Sequence, residues 1–294
     1  MRPSLRRHAT LIRREIAAAR TVVLSFPKAG RSWLCYFLAR YLAEQNGEPL
    51  DLELLAPGRG IPPLVFVHEH ADVFQDRWAP ARLLHEDLLV RKRIVVLARD
   101  PRDSLVSWWH HKRVREGRPV PAGLDAFADC PVYGIERIAE CTALLLDLYE
   151  RHPGDKLLVT YEGLAADPDT RLREALCFAL DGRPLDERPC RAALEASRFE
   201  NMREWERGLT PVEARTRYDS RFGPRREGEL DEGHFKVRRG AVGGFETEMS
   251  ADLRRRVTGL PHTAALIERL GGLVPAPPGQ RYDELQMTAA VGRA

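Results

Sequence analysis

Lysine, glycine, arginine and a hydroxyl crowd one short stretch of this sequence, Pro27-Lys28-Ala29-Gly30-Arg31-Ser32-Trp33. It follows the β-rich run 21–26 and precedes a helical stripe of Leu34, Phe37, Leu38, Tyr41 and Leu42. A polar loop between a buried strand and a helix N-terminus presents backbone N–H groups and a positive dipole end to an anion, and Lys28 adds a movable charge. Gly30 permits close backbone approach and Ser32 offers a hydroxyl. The segment alone leaves two readings open, an anion-binding loop or a plain strand-to-helix turn with an exposed lysine. The signature G-x-x-x-x-G-K-[ST] is absent, and no Gly-Lys pair occurs in the chain.

Two further clusters sit at the ends of apolar runs. Run 64–67 ends at His68-Glu69-His70, and an imidazole, with its ordinary pKa near neutrality, suits a general base. In an extended segment His68 and His70 point to the same face, so both are candidates. No Cys or carboxylate cluster supports a metal reading of the pair. Run 93–98 opens into Arg99-Asp100-Pro101-Arg102-Asp103, where Pro101 suits the first turn of a helix reaching about residue 115. Arg99 and Ser107, two turns into that helix, can meet one phosphate; alternatively Arg99 pairs with Asp103 on a solvated helix start. His110 and His111 read as surface or core-edge residues.

The elements that must hold these residues alternate. Strands at 21–26, 64–67, 93–98 and 156–160 are separated by helices at about 33–45, 101–115 and 132–151, with further helices after Pro168 and over 189–203. This pattern predicts a single α/β domain, a phosphate-loop-type parallel β-sheet with helices on both faces. Residues 1–20 form a basic amphipathic helix with Ser4 as N-cap; it either docks on its own domain or lies on an anionic membrane. The core domain is 21–273, with an aperiodic, arginine-rich flap at about 205–235, and a Pro-rich tail covers 274–294.

The loop at 27–33 resembles the 5′-phosphosulfate loop, P-K-S-G-[TR]-[TS]-W, of sulfotransferases that use 3′-phosphoadenosine 5′-phosphosulfate (PAPS). The resemblance implies that Lys28, Ala29, Gly30, Arg31 and Ser32 hold the 5′-phosphate, while Trp33 stacks on adenine. Segment 99–107 resembles the family's 3′-phosphate motif, R-[ND]-P-[RK]-D-x-x-x-S, which implicates Arg99 and Ser107. Residues 159–168 resemble a strand-end Y-E-x-L element that turns Tyr161 to the nucleotide. Residues 197–202 resemble S-x-F-x-x-M, implying a polar contact from Ser197 and adenine packing by Phe199. Residues 235–245 match R-[KR]-G-x-x-G, which brings Arg238, Arg239 and Gly240 over the 3′-phosphate. Laying 62–68 on P-R-[IVL]-[IVL]-x-x-H puts His68 on the catalytic histidine. Many relatives carry a lysine two residues earlier, where this chain has Phe66, so Lys28 becomes the main expected cation at the leaving oxygen, aided by Ser32. The implied reaction is in-line sulfuryl transfer from PAPS, the cosubstrate, to a hydroxyl or amine, with no metal. Two other classes stay open, a nucleotide kinase-like phosphate-loop enzyme and a noncatalytic PAPS-binding module.

Composition fits that expectation. Among 294 residues, 46 Lys plus Arg meet 43 Asp plus Glu for a net charge of +3, too near neutral to suggest a nucleic-acid partner. Residues 1–20 hold six arginines against one glutamate, so the rest of the chain is slightly negative and its cations must be placed locally. Five scattered cysteines without a Cys-x-x-Cys pair argue against a disulfide framework or zinc site and suit a reducing, cytoplasmic setting. Uncharged stretches such as 257–267 fall well short of the ~18–20 residues of a membrane span. The acceptor, a small molecule, glycan or lipid, is not legible, and neither is any homo-oligomer. Trp108, Trp109, Phe127 and Tyr133 are candidates for its pocket or for the core.

Overall fold

The computed structural model describes residues 3–55, 60–68, 81–115, 117, 119–209 and 237–273. Four strands, β1 (Thr21–Ser25), β2 (Leu64–Val67), β3 (Arg93–Ala98) and β4 (Lys156–Thr160), form one parallel sheet in the order β2-β1-β3-β4. Val22 lies opposite Val65 on one side and Ile94 on the other. β1 is buried throughout, as its apolar, β-branched sequence requires of a central parallel strand. From β1 the chain crosses to β2 on one side and then to β3 on the other. That reversal makes the carboxyl end of β1 a topological switch point, where a ligand crevice opens.

Successive strand residues face opposite helical layers. Val23, Phe66, Val95 and Leu97 pack against α2 (Arg31–Asn46), α8 (Pro168–Leu180) and α9 (Glu187–Ala196). Val22, Leu24, Val65, Ile94 and Val96 pack against α1 (Pro3–Ala18), α6 (Ile135–Arg151) and the C-terminal helix α13 (Pro261–Leu273). A third cluster lies beyond the carboxyl edge, where Phe26 meets Trp108 on α4 (Pro101–His110), Phe127 on α5 (Leu124–Ala128), Ile138, and Phe245 on α11 (Phe245–Glu248). Helices α3 (Glu86–Leu89), α7 (Tyr161–Ala166), α10 (Phe199–Gly208) and α12 (Ala251–Gly259) complete the described α-helices, and a 3₁₀ turn covers Leu52–Leu55.

The N-terminal helix docks on its own sheet. Ile12, Ile16 and Ala19 are buried in the second layer, Lys92 Nζ donates to the carbonyls of Ala17 and Ala19 at its C-terminal end, and Arg13 pairs with Asp87. Ser4 lies inside this helix and is not its cap.

Two other expected boundaries move. The helix expected over 189–203 is two, α9 and α10, broken at Ser197 and Arg198, the latter extended at φ −61° and ψ 146°. The helix from Pro101 ends at His110 and widens to a π turn over His111–Arg115, which stacks His111 on Trp108 and carries Lys112 over the Trp108 ring. Residues 205–208, expected in the flap, belong to α10; 210–236 and the tail 274–294 lie outside the described residues. Trp108 and Phe127 are fully buried and belong to the core. No described helix is long and apolar enough to cross a membrane.

Candidate active site

The chain leaves β1 through Phe26 and Pro27 into a turn with two left-handed residues, Lys28 at φ 75° and Gly30 at φ 96°. For lysine that conformation is strained, costing roughly 1–2 kcal/mol, which the surroundings must hold in place. Gly30 suits this turn because φ 96° is a backbone conformation that side chains disfavour, and a Cβ there would also press on Tyr161 Cδ2 at 3.1 Å. Gly30 is also the N-cap of α2 and supplies no side-chain cap. The N-terminal end of α2, the positive end of its dipole, thus begins directly after Lys28 and Ala29, with Ser32 in its first turn, as an anion site needs.

β2 runs beside β1 with Leu24 opposite Val67, so the next residue of each strand meets the other. His68 Nδ1 lies 2.8 Å from the Ser25 carbonyl oxygen and 3.3 Å from Ser25 Oγ. A carbonyl only accepts, so Nδ1 carries the proton and Nε2 is left as the basic nitrogen. Phe66, two residues earlier, lies beneath Arg31, whose guanidinium carbon is 5.6 Å from the ring centroid. His70 lies outside the described residues.

Arg99 leaves β3 next to the loop. Its guanidinium sits 3.9 Å from the Tyr161 ring centroid and donates to the carbonyls of Lys28 at 3.3 Å and Ala241 at 3.1 Å. Asp103 is 3.5 Å from Arg99, but it is no solvated partner: its side chain is 2% exposed and accepts from the N–H groups of Gly243 and Phe245. Through these contacts the segment after 237 is tied to the start of α4. Tyr161, first residue after β4, also meets Trp33 edge-on at 5.9 Å. Glu162 Oε1 accepts from the Asp100 N–H, and burial pushes its carboxyl above the usual range.

Phe199, Gly240, Arg238 and Arg239 form the far wall. Gly240 has φ 65°, and a Cβ on it would lie 2.2 Å from Phe199 Cδ2, so the backbone rests directly on that ring. Arg238 and Arg239 both reach Glu248, which also accepts from His110 Nε2. Ser107 lies one turn before His110 on α4 and is partly exposed. Ser197, the C-cap of α9, is 1% exposed. Its Oγ and Arg99 Nε are buried without a hydrogen-bond partner. Buried polar groups left without a partner are what a bound polar ligand satisfies.

The structure thus joins Lys28, Gly30, Arg99, Tyr161 and Trp33 in one cluster and Phe199, Gly240, Arg238 and Arg239 in another, with Asp103 linking the two through Arg99 and Gly243. Sequence reasoning missed Glu248 and the role of His110. The glutamate stands ten residues after Arg238 in a four-residue helix and His110 far upstream, so only tertiary structure pairs them. Among the described residues no group of three or more His, Cys, Asp or Glu is arranged to hold a metal.

Comparison with known proteins agrees with this architecture. A family pattern described as "Sulfotransferase domain" matches residues 19–262. Bovine Sulfotransferase 1A1 (Bos taurus) is 24% identical over 194 residues, which span 62% of this chain and 65% of that protein. The fold is similar to that of mouse sulfotransferase SULT7A1 complexed with PAP, at TM-score 0.55 and 13% identity, covering 86% of this chain and 89% of the other. It is similar also to retinol dehydratase complexed with androsterone and the inactive cofactor PAP, at TM-score 0.56 and 18% identity, covering 85% and 79%. With the family pattern running through all four strands and out to the first residues of α13, the chain belongs to the sulfotransferase domain family.

Proposed function

We propose that the protein transfers the sulfuryl group of PAPS to a hydroxyl, or to an amine, of a small-molecule, glycan or lipid acceptor. PAPS supplies an activated sulfuryl group on a phosphate leaving group. The acceptor oxygen forms the new bond to sulfur as the sulfur–oxygen bond to the 5′-phosphate breaks, and the acceptor proton passes to His68 Nε2. The observation that carries this reading is the 2.8 Å contact of His68 Nδ1 with the Ser25 carbonyl, because it assigns the proton to Nδ1 and the basic site to Nε2, at the carboxyl end of the strand pair from which the Lys28 loop departs.

The residues present suit the two ends of the nucleotide. Lys28, Arg31, Ser32 and the backbone at Ala29 and Gly30 hold the 5′-phosphate, and Lys28 with Ser32 balances charge on the leaving oxygen. Arg99, Ser107, Arg238, Arg239 and the Gly240 backbone hold the 3′-phosphate, for which the unpartnered Arg99 Nε is a ready donor. Trp33 and Phe199 enclose the adenine, with Ser197 Oγ and Tyr161 at its edges. Support for this nucleotide comes from SULT7A1 and retinol dehydratase, both crystallised with PAP.

Calorimetry with adenosine 3′,5′-bisphosphate and with ATP plus magnesium tests the assignment. Binding of the bisphosphate without metal, at least tenfold tighter than ATP, is expected; preference for magnesium-ATP would return the chain to the kinase-like class. Bisphosphate binding without sulfuryl transfer to any acceptor in a broad panel would leave a noncatalytic binding module.

A further inference from the structure

Among the described residues, Glu248 accepts four hydrogen bonds next to the 3′-phosphate motifs. Arg238 engages it with both Nη atoms, at 2.8 Å to Oε1 and 3.2 Å to Oε2. Arg239 Nη1 reaches Oε1 at 3.2 Å, and His110 Nε2 lies 2.6 Å from Oε2. The carboxylate is 12% exposed, and Asp103 fastens the backbone at Gly243 and Phe245, at the start of its helix, to α4. Burial raises its pKa, but the hydrogen bonds from His110 and Arg238 and the Arg238 charge outweigh that and bring it down to about 2. Glu248 is therefore an anion throughout the neutral range.

A carboxylate that takes both Nη atoms of an arginine fills the same fork that a phosphate takes. We propose that Glu248 is an internal competitor for the nucleotide's 3′-phosphate, a specificity-determining residue that holds Arg238 and Arg239 until the phosphate takes the guanidinium fork from it. The proposal rests on the reading of the two arginines as 3′-phosphate ligands. A 3′-phosphate, with about two negative charges at neutral pH, outcompetes a single carboxylate, whereas a neutral 3′-hydroxyl does not. The exchange thus makes the 3′-phosphate the condition for opening the pair. It also lowers the hold on the bisphosphate product, because Glu248 waits to retake the arginines.

Binding of adenosine 3′,5′-bisphosphate and of adenosine 5′-monophosphate to the full-length chain is measured by calorimetry for wild type, Glu248→Gln and Glu248→Ala. Both variants are expected to bind the bisphosphate about tenfold tighter, equivalent to ~1.4 kcal/mol, with monophosphate affinity unchanged within about twofold. Weaker bisphosphate binding would show that Glu248 orients Arg238 for the ligand, and unchanged binding would show no competition; either overturns the proposal. A second measurement needs no variant at position 248. The ring resonances of His110 in the wild-type protein are expected to shift on adding bisphosphate but not monophosphate, and identical behaviour with both ligands refutes the exchange. The underlying reading fails separately, if Arg238→Ala/Arg239→Ala binds the bisphosphate as tightly as wild type.

Discussion

Replacing Gly240 with alanine isolates the contact between the late basic strip and the Phe199 ring. Two costs arise. The first is conformational, since φ 65° places an alanine in the left-handed region at about 1–2 kcal/mol. The second is steric: the new Cβ falls 2.2 Å from Phe199 Cδ2, and ordinary contact near ~3.5 Å requires the ring or the strip to move by more than ~1 Å. Because Arg238 and Arg239 precede this residue directly, that movement displaces the guanidinium groups from the phosphate they are proposed to hold. A misplacement of ~1 Å is enough for ~10²-fold in a precisely arranged site, so bisphosphate affinity is expected to fall by ten- to a hundredfold. Gly47 is the control. It has φ 66° and nothing within 4 Å of where an alanine Cβ would stand, so Gly47→Ala carries the conformational cost without the clash. Calorimetric affinities and melting temperatures of the two variants are compared. Equal affinity for bisphosphate in both would refute the argument that Gly240 positions the arginines by resting on Phe199.

Three further outcomes are expected. Lys28→Ala and Lys28→Gly both lose the amine and both lose activity, but the glycine variant is more stable by ~1 kcal/mol, a few degrees in melting temperature, because it relieves the left-handed backbone; equal melting would deny the strain. Asp103→Asn leaves one of two backbone N–H groups facing an amide donor in a 2%-exposed site, so it destabilises by ~2 kcal/mol and loosens bisphosphate binding, both read by thermal melts with and without ligand. Glu248 has a folded pKa of about 2, below its ordinary 4.5, so its contribution is full above that ordinary value and lost as pH falls toward 2. Glu248→Gln should therefore flatten the acid limb of the stability curve between about pH 4.5 and pH 2.

The sheet was legible because parallel strands buried on both faces must be short, continuous apolar runs, and 64–67, 93–98 and 156–160 coincide with β2, β3 and β4. Only Phe26 departs from its run, turning into the cluster around Trp108. The loop at 27–33 was legible because a strand, a Gly-containing polar turn and a helix stand consecutively. What failed depended on partners distant in sequence. The break between α9 and α10 carries no Gly or Pro, and it sets Phe199 beneath Gly240, about forty residues on. The pairing of Glu248 with His110 and the two arginines likewise exists only once Asp103 has tied the late strip to α4.

The central claim, sulfuryl transfer with His68 as base, is tested most directly by measuring acceptor-dependent release of adenosine 3′,5′-bisphosphate from PAPS across a panel of hydroxyl and amine acceptors, for wild type and His68→Ala. Loss of a general base predicts a fall in kcat of ~10²–10⁴-fold, with bisphosphate affinity unchanged within about threefold. Turnover retained by His68→Ala, particularly if His70→Ala abolishes it, would contradict the account.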